Sequence, residues 1–222
     1  MAVTATSVFR GALHIGLAYL FFVAIPPLEP EFPIMKEYGG RHNFLTIVGL
    51  SLSGVVSVVA ALSELTPSLL SAPLASLHRL LMSVALPLEF LITVMYWTLK
   101  TVDPTLLAPP EFTNIIPFEV DLGLHLVPFV ALLLDFLVFT DYYRAGAVHK
   151  LATVALGAGY YAWISHANSV HGLWPYPLLE VIEKQYHVGL VAGLSLVMII
   201  FQSIAFGIKS AFTSAAVKAK QD

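Results

Sequence analysis

The chain contains no cysteine, and only 11% of its 222 residues are charged. The missing thiols exclude disulfides, iron–sulfur ligation, thiolate zinc sites and a cysteine nucleophile. A net charge of −3 offers no electrostatic footprint for a nucleic acid. There are no internal repeats, no low-complexity tracts and no linker dividing domains, so residues 1–222 read as one bundle domain. Several motifs are also absent. No His-Glu-x-x-His occurs, and Gly157 and Gly159 do not complete a dinucleotide fingerprint. The stretch Gly49-Leu50-Ser51-Leu52-Ser53-Gly54 is one residue too long for a serine nucleophile elbow.

Apolar residues take up the remainder: 58% of the chain is hydrophobic and the mean hydropathy is +0.82. A soluble domain of this size cannot hide that much apolar surface, so the bilayer is the solvent. Six stretches approach the ~20 residues that a membrane core requires: 7–25, 44–63, 77–99, 119–140, 151–167 and 186–208. The fold class predicted is an all-α polytopic membrane bundle of about six transmembrane helices. The first stretch leads into Ile25-Pro26-Pro27 rather than a small-residue cleavage site, and reads as a retained helix. Lysine and arginine are biased toward one side, where Arg10, Arg79, Arg144, Lys150 and Lys209 fall, so both termini are expected in the cytosol. Gly189-x-x-x-Gly193 matches a small-residue helix contact.

Ionisable residues within such stretches are costly and mark function unless paired. His125 lies in VDLGLHLVPFVALLLDFLVF, about six residues past Glu119 and four past Asp121. That spacing puts Asp121 on the same helical face, where a carboxylate could hold one ring nitrogen and leave the other as a base. The competing reading is a structural histidine bonded to a neighbouring helix. Thr46 opens the second stretch. With Asn43 as N-cap it becomes the third residue of a helix, beside backbone N–H groups that lack intrahelical partners. A hydroxyl there could attack a carbonyl while those amides receive the oxyanion. The competing reading is a threonine bonded back to the preceding turn. Glu89, Asp135, His166 and Trp174 are further candidates for the lining of a polar cavity, or for bridges between helices.

The ordered set Arg41-x-x-Phe44-Leu45-Thr46, Leu124-His125-x-x-Pro128, Leu134-Asp135 and Trp174-Pro175-Tyr176-Pro177-Leu178-Leu179-Glu180 resembles the androgen-induced, FAR-type multi-pass membrane family. The Trp-Pro-Tyr-Pro form looks like the fungal branch. The resemblance implies an intramembrane threonine hydrolase that cleaves fatty acid esters of hydroxy fatty acids. It implies Thr46 as nucleophile and His125 as base, membrane lipids and a branched fatty acid ester as partners, and neither cofactor nor metal. Lys218 and Lys220 in the tail look like a dilysine retrieval signal for the endoplasmic reticulum. Two other functions remain open at this level. One is a zinc-dependent membrane amidase or hydrolase using His125, His166 and His187. The other is a non-catalytic lipid-binding protein.

Overall fold

A computed structural model describes residues 5–25, 31–66, 68–113, 115–140 and 145–218. The Pro26-Pro27 turn, Arg144 and Lys220 lie outside these. The described residues contain helices and turns and no strand. The main helices are α1 (Ala5–Tyr19), α2 (Leu45–Leu65), α3 (Ser68–Val102), α4 (Phe118–His125), α5 (Val127–Leu134), α6 (Ala147–His171), the short α7 (Leu178–Val181) and α8 (His187–Lys218). Four of them, α1, α2, α3 and α8, are long and apolar enough to cross a membrane, and the bent pair α4–α5 makes five if it counts as one span. The fifth expected stretch, 151–167, falls in α6, which is 25 residues long but carries Tyr, Ser, His and Asn in its second half and is not among the helices apolar enough to span.

The fourth expected span is broken rather than continuous. Leu126 leaves helical geometry at φ −134°, and α4 and α5 meet at a bend of 42°. Pro128 explains the break: its ring has no N–H for the carbonyl of Leu124 and crowds that turn. His125 therefore sits at the last residue of α4, at the corner. Beyond α5 the chain widens into a π-turn, Asp135–Phe139.

Pro87 poses the same problem inside α3, but there the helix continues. The amide that Pro87 lacks would have paired with the carbonyl of Ser83. Gln202 of α8 supplies the donor instead, its Nε2 lying 2.6 Å from Ser83 O. Membrane helices tolerate proline when a neighbour satisfies the freed carbonyl in this way.

α3 is the axis of the bundle, touching α2, α4, α5, α6 and α8, while α2 lies between α1 and α3. Two glycines let α2 approach both neighbours. A Cβ at Gly54 would fall 2.6 Å from the Phe22 ring, and one at Gly49 would fall 2.6 Å from Ile92 Cδ1 and 2.8 Å from Glu89 Oε1. Gly189 and Gly193 face open space instead, so their spacing makes no close helix contact among the described residues. At one end of the bundle Arg10 of α1 donates to Phe139 O and Lys209 of α8 donates to Leu137 O. The start of α1 and the last turns of α8 thus reach the same end.

After α3, Asp103 caps a short turn by accepting from the Thr105 amide and hydroxyl. Those bonds hold its carboxyl below the usual carboxylate range. The turn brings Pro104 and Leu107 over the end of α3 opposite Arg10 and Lys209.

Candidate active site

A cavity of about 200 Å³ opens at that end, between α2, α3, α6 and α8. Its walls are largely apolar, with Leu88, Leu91, Ile92 and Met198 forming a buried cluster in its deeper part. Thr46 and His125 both line it, at 8% and 6% exposure. The antiparallel register of α2 and α3 fixes the depth of Thr46. Ser53 Oγ donates to Glu89 Oε1 at 2.8 Å, and Gly49 abuts Glu89 and Ile92. Continuing that register carries Thr46 to the level of Met95 and Tyr96. The Tyr96 ring stacks on the His125 ring with centroids 3.4 Å apart and planes 2° from parallel.

Thr46 occupies the first turn of α2, one position earlier than expected. Gly40–Asn43 forms a 3-10 turn, Phe44 is extended, and Phe44 is the residue that caps α2. Asn43 does not cap it: its side-chain amide donates to Tyr38 O at 2.9 Å. The first intrahelical bond runs from the Val48 amide to Phe44 O, so the amides of Leu45, Thr46 and Ile47 precede the ladder. The Tyr176 hydroxyl accepts from the Leu45 amide at 2.9 Å, and Tyr160 donates to Asn43 O at 2.8 Å. Two tyrosines thereby brace the turn that carries Thr46, and Thr46 itself lines the cavity. Other hydroxyls of α2 bond back one turn: Ser51 to Ile47 O and Ser57 to Ser53 O. Among the described residues the Thr46 hydroxyl makes no such bond. The carbonyl it would use, His42 O, receives the Trp163 indole N–H at 3.1 Å.

His125 is oriented by its own helix. Nδ1 lies 3.2 Å from Asp121 O and 3.5 Å from Asp121 Oδ1. A carbonyl only accepts, so the tautomer that fits carries its proton on Nδ1 and keeps the lone pair on Nε2. Asp121 is fully buried. Its carboxylate accepts from the Tyr96 hydroxyl and pairs with the ammonium of Lys100. This is a His–Asp arrangement reinforced by a phenol and a cation, both from α3.

The other expected candidates stand apart from the cavity walls. Glu89 is buried behind them, held by Ser53. Asp135 belongs to the far end of the bundle, where its two oxygens lie 3.5 and 3.6 Å from the Nε2 atoms of His14 and His78. His166 packs edge-on against Tyr38, and Trp174 packs against His187. His187 Nε2 lies 3.0 Å from Leu179 O and 2.9 Å from Ile182 O, a loop-fixing contact. His125, His166 and His187 therefore do not converge, and no described group of three His, Cys, Asp or Glu side chains is set to hold a metal ion. Tyr96, Lys100 and Tyr160 do not stand out in the sequence, and Tyr176 does so only as part of the Trp174-Pro175-Tyr176-Pro177 motif. The only local trace was the i,i+4 spacing of Tyr96 and Lys100 at the end of an apolar run.

The apolar helices define a multi-pass membrane protein, with a largely apolar cavity at one end of its bundle. The chain belongs to the FAR-17a/AIG1-like protein family, whose model matches residues 6–209. It is 26% identical to the UPF0641 membrane protein PJ4664.05 of Schizosaccharomyces pombe over 154 residues, covering 69% of this chain and 68% of that protein. It is 25% identical to the human androgen-induced gene 1 protein over 164 residues, 68% of this chain and 69% of the relative. The androgen-dependent TFPI-regulating protein of Mesocricetus auratus is 26% identical over 169 residues, 72% of each chain. No solved structure matches the chain.

Proposed function

We propose that this protein is an intramembrane esterase that cleaves fatty acid esters of hydroxy fatty acids through a Thr46 nucleophile and a His125 base. One observation carries the reading: an unpaired hydroxyl on the first turn of α2 and an Asp-oriented imidazole line the same apolar cavity. In the first half-reaction His125 Nε2 takes the proton from Thr46 as its oxygen adds to the ester carbonyl. The oxyanion forms at the positive end of α2, toward the amides of Thr46 and Ile47. The tetrahedral adduct collapses, the C–O bond to the hydroxy acid breaks, and His125 returns the proton to the departing alkoxide. Water then attacks acyl-Thr46 with His125 again as base, releasing the fatty acid and restoring the hydroxyl. The β-branched carbon of threonine restricts its rotamers and favours a single attacking pose. Cytosolic termini and residence in the endoplasmic reticulum, on the charge bias and the tail lysines, belong to the same reading.

A fluorophosphonate probe tests it. Labelling of the purified full chain is expected to map to Thr46 and to vanish in Thr46→Ala. Hydrolysis is expected to be lost in both Thr46→Ala and His125→Ala. A well-folded Thr46→Ala protein with full activity would falsify the nucleophile, and an unlabelled, inactive wild type would leave a lipid-binding protein.

A further inference from the structure

The cavity carries a formal charge at one point. Among the described residues lining it there is no Asp, Glu or Arg, and Lys100 is the only lysine. Lys100 sits in the last turn of α3, at the mouth, beside Pro104 and Leu107. Its side chain is about a quarter exposed, whereas its partner Asp121 is fully enclosed. An ammonium has three N–H donors. One goes to Asp121 Oδ2, and a second faces the Tyr96 hydroxyl at 3.4 Å. The third has no hydrogen-bond acceptor among the described residues, the ammonium standing 5.5 Å from the centroid of the Trp97 ring. Asp121 does not depend on Lys100 alone, since Tyr96 also donates to it and His125 lies against it. The cation can therefore share its charge with a second anion.

We propose that Lys100 reads the free carboxylate of the substrate. The inference rests on the esterase reading above and adds the residue that selects for an acid-bearing ester. Tyr96, stacked on the reacting histidine, is four residues before Lys100, or about 6 Å along the helix. A carboxylate held at Lys100 would leave a spacer of several methylenes to an ester carbonyl at the level of Thr46 and His125. The acyl chain would continue past Leu91 and Leu88 into the apolar shaft. Esters whose acyl group sits next to the carboxyl carbon are too short to reach both points.

The experiment compares an acyloxy fatty acid with its methyl ester, using the purified full chain in lipid nanodiscs. The wild type is expected to prefer the free acid, chiefly through KM. In Lys100→Met the ratio of kcat/KM for acid over ester is expected to fall about 10- to 100-fold, the range of one charged hydrogen bond. Lys100→Arg is expected to keep most of the preference. A loss shared by both substrates, as from a disturbed Asp121, cancels in the ratio. An unchanged ratio in Lys100→Met, or a wild type indifferent to methylation, would overturn the assignment without reference to how the variant folds. A non-hydrolysable ether analogue separates the two hypotheses. If the wild type hydrolyses neither ester yet binds the acid ether in a Lys100-dependent way, the esterase reading fails and the headgroup reading stands.

Discussion

Asp121 illustrates how much of this site depends on single atoms. It faces three donors, the Tyr96 hydroxyl, the Lys100 ammonium and the His125 Nδ1 proton. In Asp121→Asn the amide NH2 would confront one of them and favour the wrong imidazole tautomer. We expect kcat to fall by roughly 10²- to 10⁴-fold, the scale seen when a triad carboxylate becomes an amide. Fluorophosphonate labelling of Thr46 should slow in parallel. Labelling at the wild-type rate would show that the tautomer is set by the Asp121 backbone carbonyl alone. Thr46, His125 and Asp121 were legible in the sequence because a polar side chain in an apolar stretch is conspicuous. Lys100 and Tyr96 were not, because they come from a helix end where a Tyr and a Lys are ordinary interfacial residues. Asn43 misled for a local reason: a 3-10 turn consumed the residues expected to cap α2 and shifted the cap to Phe44.

Helices in this bundle are completed by their neighbours. Pro87 removes a bond from α3, and Gln202, 119 residues beyond Ser83, restores it. Gln202→Leu would leave Ser83 O without a donor in an apolar interior, at a cost of about 1–3 kcal/mol. Pro87→Ala, which returns an amide to the ladder, should rescue most of that loss in the double variant. Thermal unfolding in nanodiscs of the two single variants and the double closes the cycle; additive effects would show that the pairing contributes nothing. Five of the six expected stretches fall on helices apolar enough to span, the bent α4–α5 pair counted as one, since backbone polar groups in lipid have few options besides a helix. What length did not reveal was where a span breaks. Pro87 and Pro128 look alike in sequence, yet one is bridged by a glutamine and the other bends the chain at His125. The difference lies in a residue on another helix, which local pattern does not contain.

For the molecule as a whole, the proposed esterase activity makes the cavity a measuring slot for the acyl chain. Ser195 lies eight residues into α8, so about 12 Å from its start; it lines the cavity and packs directly against Gly157 of α6, where a Cβ would fall 2.8 Å from its hydroxyl. Ser195→Phe would fill the lower part while leaving Thr46 and His125 untouched. Esters of short acyl chains should still be cleaved. Longer chains should lose about 0.8 kcal/mol, near fourfold in kcat/KM, for each methylene denied its place. A chain-length profile identical to the wild type would mean the acyl group leaves the bundle sideways into lipid.

The tyrosine brace has an outcome for biosynthesis. The turn bearing Thr46 is pinned by residues made 117 and 131 positions later. A nascent chain still on the ribosome, with only its first spans inserted, has Thr46 and His125 but not the two phenols that set the loop. If the chain is the esterase proposed above, hydrolysis would switch on only when the last hairpin docks, so a half-assembled copy would not digest lipids of the membrane that is receiving it.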